Sequence, residues 1–189
     1  MTLLLIGLVV FLGMHSISIF AEGFRNRMAA KSEIGWMAVY GMVSLIGIVL
    51  VARGYAQARV EPTLLYVTPT WFRHVAALLL LPVFILFFAP YFPGRIQAVT
   101  KHPQLIAVKL WAVAHLLVNG MLADVVLFGA FLAWAVFDRI SMKRRTARAV
   151  PGLPKAGMND IIVVVLGLGA YIVFVLWLHL AWIGVAPFG

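Results

Sequence analysis

The sequence predicts an all-α integral membrane protein, a polytopic helical bundle of about six transmembrane helices. Hydrophobic residues make up 64% of the 189 residues and the mean hydropathy is +1.05, whereas soluble domains contain roughly 45–50% apolar residues. The net charge of +9 is concentrated in short clusters between apolar runs. Such clusters indicate topology signals and contact with anionic lipids. We therefore expect residues 1–189 to form a single transmembrane domain in a lipid bilayer.

Each predicted span is an apolar run bounded by polar or turn-forming residues. Pro82 lies in the middle of the third run and should kink that helix or free a carbonyl. Asn159 or Asp160 is the predicted cap of the last span. Glycines at positions 35, 41 and 47 are six residues apart, which makes no GxxxG face, so close helix packing is not indicated there. The approximate spans are 2–21, 34–52, 72–90, 103–119, 121–138 and 159–182.

The segment from Lys101 to Asp138 is the most informative part of the chain. One helix from Pro103 to Phe137 would be about 52 Å long, and a hydrocarbon core is only about 30 Å thick. Asn119-Gly120 is the natural break, because both residues tolerate positive φ. The segment is therefore predicted to be a hairpin of two membrane helices.

Charge placement predicts the orientation. Most basic residues follow spans one, three and five, and only Arg53, Arg59 and Arg73 lie on the opposite side. The positive-inside rule then places both termini on the non-cytoplasmic side. The basic residues on the predicted cytoplasmic side are Arg25, Arg27, Lys31, Arg95, Lys101, Arg139, Lys143, Arg144, Arg145, Arg148 and Lys155.

The five histidines separate by predicted depth. His15 lies about 15 Å before Arg25 along the first helix, and His115 lies about 18 Å from the cytoplasmic end of its helix, so the two are at matching depth. His102 lies at the cytoplasmic mouth, where a helix-capping role is equally open. His74 and His179 lie near the outer face, where packing by hydrogen bonds between helices is the favoured interpretation. Ionisable residues inside a membrane are costly and usually functional, which favours a function for the pair at mid-depth.

Haem is the cofactor that the available side chains suit best. The chain has no cysteine, which excludes disulfides, thiolate ligation and iron–sulfur clusters. Zinc sites need three or four ligands, and di-iron sites need Glu-x-x-His pairs, which the sequence lacks. Nucleic-acid binding is not supported, because no basic stripe is interleaved with accessible aromatics. A haem iron needs one or two histidines in an apolar pocket, with basic residues near its propionates; Arg25, Arg27, Lys101 and Lys109 lie at the appropriate face.

Several motifs spread over nearly the whole chain resemble the NnrU family of bacterial membrane proteins. They are HS in the first span, RGYAQAR followed by TPTWFRH, the run KHPQLIAVKLWAVAHLLVNG, and LHLAWIGVAP near the C-terminus. The family is associated with nitrite and nitric oxide reduction in denitrifying bacteria. Its enzyme relative is the plant zeta-carotene isomerase, a membrane haem b protein that isomerises a cis double bond.

This resemblance implies a haem b cofactor, with His15 and His115 as the axial ligands of the iron. Asn119, Arg25 and Lys109 are assigned as further cofactor-binding residues. His102 is assigned as the catalytic residue, acting as an alternative ligand or a pocket residue. The resemblance also implies redox-linked ligand exchange, and it places the protein in the bacterial inner membrane. A hydrophobic small-molecule substrate and a homo-oligomer are left open.

Two other functions stay open from the sequence. One is a non-enzymatic assembly or regulatory factor for respiratory nitrogen-oxide reductases, in which the histidines are structural. The other is a membrane methyltransferase of the isoprenylcysteine type, of which Lys101-His102-Pro103 is a weak echo. The Glu and Arg elements that such enzymes use after their last hairpin are not apparent.

Overall fold

A computed structural model describes residues 1–146, 148 and 150–187 of the chain. Regular structure in these residues is helical and includes no strand, which confirms the all-α prediction. The α-helices are α1 (Thr2–Phe20), α2 (Glu22–Lys31), α3 (Glu33–Ala58), α4 (Phe72–Leu80), α5 (Val83–Phe88), α6 (Arg95–Thr100), α7 (Pro103–Val118), α8 (Leu122–Ser141), α9 (Met158–Val173) and α10 (His179–Ile183).

Four helical segments of the described chain are long and apolar enough to cross a membrane. They are Thr2–Phe20, Glu33–Ala58, Phe72–Tyr91 and Met158–Ile183. Helix α7 has only 16 residues, and α8, with 20 residues, contains two aspartates and an arginine. The protein is thus a helical membrane protein with four candidate spans, and the count of about six and the orientation of the termini stay predictions.

The chain forms two compact units. The first unit comprises Met1–Val67 and Gly120–Ala147, and the second comprises Thr68–Asn119 and Arg148–Gly189. Helices α1–α3 and α8 belong to the first unit, and α4–α7, α9 and α10 belong to the second.

The predicted break at Asn119-Gly120 is confirmed. Helix α7 ends at Val118, and Asn119 is extended, with φ −119° and ψ 107°. Neither residue adopts positive φ. Glycine is needed at position 120 because a Cβ there would overlap the carbonyl oxygen of Tyr66. The Gly120 carbonyl accepts the N–H of Leu65 at 2.8 Å. Leu65 lies in the segment between α3 and α4, and both Leu65 and Gly120 belong to the first unit.

Helices α1 and α3 of the first unit pack backbone to backbone through glycines. A Cβ at Gly47 would lie 2.8 Å from the Phe11 nitrogen, and one at Gly54 would overlap the backbone of Leu4. Gly47 and Gly54 are about two turns apart and share one face of α3. The sequence did not indicate close helix packing here, and that expectation was wrong. The face of α3 that contacts α1 combines Gly47 with Gly54, and Gly54 is not part of the six-residue glycine series considered in the sequence.

Two segments of the first unit that lie outside the predicted spans are helical. Arg25 and Arg27 lie on α2, which covers Glu22–Lys31, and α3 continues through the RGYAQA sequence to Ala58. The favourable helix propensity of Ala, Arg, Lys and Gln explains both helical segments. They were missed because apolar content alone defined the bounds of the predicted spans. Ser32 caps α3, with its Oγ accepting the N–H of Gly35 at 3.0 Å.

Helix α8 contains two buried aspartates, Asp124 and Asp138, and the first has a structural role. Asp124 accepts the Tyr55 hydroxyl at 2.5 Å and the Met121 N–H at 3.1 Å, so both carboxylate oxygens are used. The second bond caps the first turn of α8. Burial and this nearby carboxylate raise the pKa of Tyr66, which lies in the segment before α4.

In the second unit, the prediction for Pro82 is confirmed and that for the last helix is wrong. Helix α4 ends at Leu80 and α5 begins at Val83, on either side of the proline. Helix α9 follows Gly157 without a side-chain cap. Asp160 instead accepts the N–H groups of Arg95 and Ile96 at 2.9 and 3.0 Å. These are otherwise unpaired groups at the start of α6, which explains why the carboxylate turns to them.

Candidate functional site

His115 of the second unit is held with one ring nitrogen fixed. Its Nδ1 lies 2.8 Å from the carbonyl oxygen of Trp111, one helical turn earlier. A carbonyl only accepts, so Nδ1 carries the proton and Nε2 carries the lone pair of the neutral ring. Metal-binding histidines are oriented in the same way, by a second hydrogen bond from the other nitrogen. The local arrangement at His115 is therefore suited to ligation through Nε2.

His115 lines a cavity of about 500 Å³ formed within the second unit. This volume falls within the range of roughly 300–1,000 Å³ found for small-molecule sites. Most of the wall is apolar or aromatic, and it includes Phe84, Trp111 and Phe174. The polar side chains on the wall are Arg73, His115, Asn119, Tyr171 and His179. The cavity combines an apolar interior with a few polar groups, as ligand sites generally do.

His179 lines this cavity and is fixed by local structure on both sides. A π-helical turn, Phe174–Leu178, precedes it, and π-bulges are frequent at functional sites. Its Nδ1 lies 2.6 Å from the carbonyl oxygen of Val185. Gly184, with φ 78°, ends α10 and turns the chain so that this carbonyl faces back to the ring. The ring is therefore oriented by the same type of hydrogen bond as that of His115.

Sequence reasoning missed three polar residues of this cavity. His179 was interpreted as a packing residue, Arg73 was used only for topology, and Tyr171 was not singled out. The Tyr171 hydroxyl donates to the carbonyl oxygen of Ala77 at 3.2 Å. The motifs TPTWFRH and LHLAWIGVAP contain Arg73 and His179, and they were the available signal.

His15 of the first unit has the same hydrogen-bond arrangement on another helix. Its Nδ1 lies 2.8 Å from the Phe11 carbonyl oxygen. The rings of Phe11, Tyr40 and Trp134 surround it at centroid distances of 4.2, 5.0 and 5.8 Å. The Trp134 Nε1 is buried and has no hydrogen-bond partner among the described residues. His15 thus has an aromatic environment and presents its Nε2 lone pair.

The remaining predicted site residues occupy different places. Asn119 lines the cavity of His115, whereas Lys109 is on α7 but does not line it. Arg25 belongs to α2 in the first unit, where its Nη1 donates to Asn26 Oδ1 at 3.3 Å. His74 is exposed at the start of α4.

His102 precedes the first turn of α7. It is the N-cap residue of α7, but its side chain makes no capping hydrogen bond to that helix. Because α7 is continuous, His102 lies about 20 Å from His115 along the helix axis. It does not line the cavity. The preceding residue, Lys101, has φ 59°, a strained conformation for a residue other than glycine. The catalytic assignment of His102 stays a prediction.

Within the described residues, no three His, Asp or Glu side chains cluster as a metal site. The first unit presents one fixed imidazole, and the second presents two. Ligation by one or two histidines is the requirement of a haem iron, because the porphyrin supplies the other nitrogens.

The apolar helices define an integral membrane helical protein, and its second unit contains a cavity lined by His115 and His179. Comparison with protein families gives a match to the model described as NnrU protein over residues 3–187, nearly the whole chain. The chain belongs to the NnrU family. No curated protein and no solved structure matches it.

Proposed function

We propose that this protein binds haem b, with His115 as an axial ligand of the iron. The observation that carries the proposal is the position of His115 on the wall of a mostly apolar cavity, where its Nδ1 lies 2.8 Å from the Trp111 carbonyl oxygen and orients the ring. The family resemblance pairs His115 with His15, and the matching hydrogen bond from His15 to Phe11 supports a ligand role for that residue as well.

The other residues on the wall suit the same cofactor. Phe84 and Phe174 provide apolar surface that excludes water from the porphyrin face. Arg73 supplies a guanidinium group for a propionate, in the role first assigned to Arg25 and Lys109. Asn119 adds an amide at the end of α7. When bound, haem supplies an iron that acts as a Lewis acid or a redox centre, and the protein sets its ligands and surroundings.

Family membership supports a role in nitrite and nitric oxide metabolism in a bacterial inner membrane. Within that role, the resemblance supports either an isomerase-like activity on the cis double bond of a hydrophobic small molecule or a redox function. The cavity of about 500 Å³ is the place in the second unit where such a molecule would enter. An assembly factor without turnover is the competing interpretation, and it gives the histidines only a structural role.

The test is the haem content of purified His115→Ala protein. We expect loss of haem with normal membrane insertion, because the Nε2 ligand is removed while helix α7 keeps a residue of high helix propensity. His74→Ala is the matched control, since His74 is exposed and does not line the cavity. Equal haem content in both variants would overturn the assignment of His115.

A further inference from the structure

A long apolar groove of about 660 Å³ follows helix α1 in the first unit. Nine of its lining residues lie between Leu5 and Ala21, at spacings that place them on one face of α1. Val126 and Ala130 of α8 complete the wall, and Ser16 is the polar side chain among the lining residues. Val9 on the wall is 73% exposed, so the groove opens at the surface that α1 presents to the bilayer.

The groove has the width of a hydrocarbon chain rather than of a helix. It extends about 24 Å along α1, so its volume corresponds to a mean cross-section of about 27 Å². An α-helix with its side chains is about 10 Å across, which is a cross-section of about 80 Å². The groove is also longer than one leaflet, about 15 Å of hydrocarbon, so a whole acyl chain fits in it. Gly13 lines the groove, and a Cβ there would meet no described atom within 4 Å.

Basic side chains lie at one end of the groove. Ala21 lines the groove and is also the N-cap of α2. Arg25 follows one turn later, and its N–H donates to the Ala21 carbonyl at 3.1 Å. The Arg27 side chain lies over Gly23, where its Nη1 would be 3.6 Å from an added Cβ. Helix α2 contains three basic residues and one acidic residue, so a net charge of +2 lies where the groove ends.

The same end of the groove has the features of a membrane surface. Helix α2 follows the apolar α1 directly, and it includes Phe24 and Met28, which are 45% and 37% exposed. Phe24 packs edge-on against Trp36 at 6.3 Å. Exposed apolar side chains, aromatic rings and basic residues on a short helix are typical of the interface between lipid and water. A chain in the groove would therefore have its headgroup at the level of α2.

We propose that the first unit binds an anionic phospholipid, with one acyl chain in the groove and the phosphate beside Arg25 and Arg27. Guanidinium groups bind phosphate through paired, charge-assisted hydrogen bonds. The positive charge of α2 favours a headgroup that carries no cation of its own. Arg25, first assigned to haem, thereby receives a lipid phosphate as its anion. The inference goes beyond the proposed function and does not depend on haem, since the groove and the cavity of His115 belong to different units.

The experiment titrates detergent-purified protein with phosphatidylglycerol, or with phosphatidylcholine of the same acyl chains, and native mass spectrometry counts the bound lipid. Arg27→Gln should weaken phosphatidylglycerol binding about fivefold, since one basic residue at a membrane surface contributes about that factor. Phosphatidylcholine binding should change less. The control is Arg53→Gln, at an exposed arginine near the other end of α1, because the neighbouring Gly54 contacts Leu4. It should leave the binding of both lipids unchanged.

Gly13→Leu tests the position of the acyl chain. The leucine side chain occupies the groove and excludes about two CH₂ groups, so the binding of both lipids should fall about tenfold. Gly41→Leu is the matched control, because Gly41 is also an exposed glycine whose added Cβ would meet no described atom within 4 Å. It lies on α3 and does not line the groove. Circular dichroism checks that each variant keeps its helix content.

Three results would overturn the inference. Equal effects of Arg27→Gln and Arg53→Gln, or a larger effect of Arg53→Gln, would remove the headgroup from α2. Unchanged lipid binding in Gly13→Leu would remove the chain from the groove. A wild-type dimer that Gly13→Leu converts to a monomer, with lipid binding unchanged, would assign the groove to a second copy of the chain. Haem content is measured separately, so failure here is distinguishable from failure of the proposed function.

Discussion

The rings of His115 and His179 lie on the wall of one cavity, and each donates its Nδ1 proton to a main-chain carbonyl. The two residues are far apart in the sequence, on α7 and α10. Two imidazoles oriented in the same way at one mostly apolar cavity support the proposal that the second unit binds haem.

Arg73 should contribute to haem retention through its charge. The Arg73→Ala variant loses a guanidinium at the cavity wall, and because Arg73 is exposed the expected loss is about 1 kcal/mol or less, up to about fivefold in affinity. The measurement is the rate of haem transfer to an excess of an acceptor protein. Arg53→Ala, at an exposed arginine of the first unit, is the control. Identical transfer rates would show that Arg73 does not contact the propionates.

Gly54 and Gly41 should respond in opposite directions to substitution by alanine. A Cβ at Gly54 overlaps the Leu4 backbone, and the overpacking is expected to cost about 1–3 kcal/mol. A Cβ at Gly41 meets no described atom within 4 Å, so alanine there should stabilise α3 by up to about 1 kcal/mol. Thermal unfolding in detergent, followed by circular dichroism, measures both. An unchanged midpoint for Gly54→Ala would contradict the close contact of α1 with α3.

Tyr55→Phe should destabilise the first unit more than Tyr171→Phe destabilises the second. Tyr55 donates to the buried carboxylate of Asp124, and hydrogen bonds to charged groups contribute about 1.5–3 kcal/mol. Tyr171 donates to a neutral carbonyl, that of Ala77, for which about 0.5–1.5 kcal/mol is expected. The midpoints of thermal unfolding compare the two variants directly. The reverse order would show that the aspartate is satisfied by other groups.

Gly120→Ala should disturb the junction where the chain passes from the second unit to the first. The added methyl group overlaps the Tyr66 carbonyl, whereas alanine at Gly129 on α8 meets no described atom within 4 Å. We expect faster proteolysis near residues 63–66 and 120–122 in Gly120→Ala than in the wild type. Gly129→Ala should be cleaved at the wild-type rate. Equal protease resistance in both variants would mean that the junction accommodates a side chain.

Much of the fold could be predicted from hydropathy and turn chemistry. The helix class, the break after Val118 and the interruption at Pro82 all follow from the local sequence. The glycine contacts of α1 with α3 could not, because they depend on which residues of two helices meet. The helix α2 was missed because its sequence is polar, and hydropathy identifies only apolar helices.

The candidate site was predictable in part. His115 could be identified because an ionisable residue in an apolar helix is costly and usually functional. His179 could not be assigned to the same cavity, since the π-helical turn and the carbonyl of Val185 that orient it are features of the folded chain. His102 was predicted at the cytoplasmic rim, and α7 does separate it from His115; its catalytic assignment came only from the family motif and stays a prediction.

The most direct test of the account is an absorbance spectrum of the detergent-purified protein, oxidised and dithionite-reduced, combined with a pyridine haemochrome assay. The account predicts haem b in stoichiometric amount and a sharp low-spin α band from two imidazole ligands. Protein that contains no haem, even after expression with a haem precursor, would contradict the account and favour the assembly-factor interpretation.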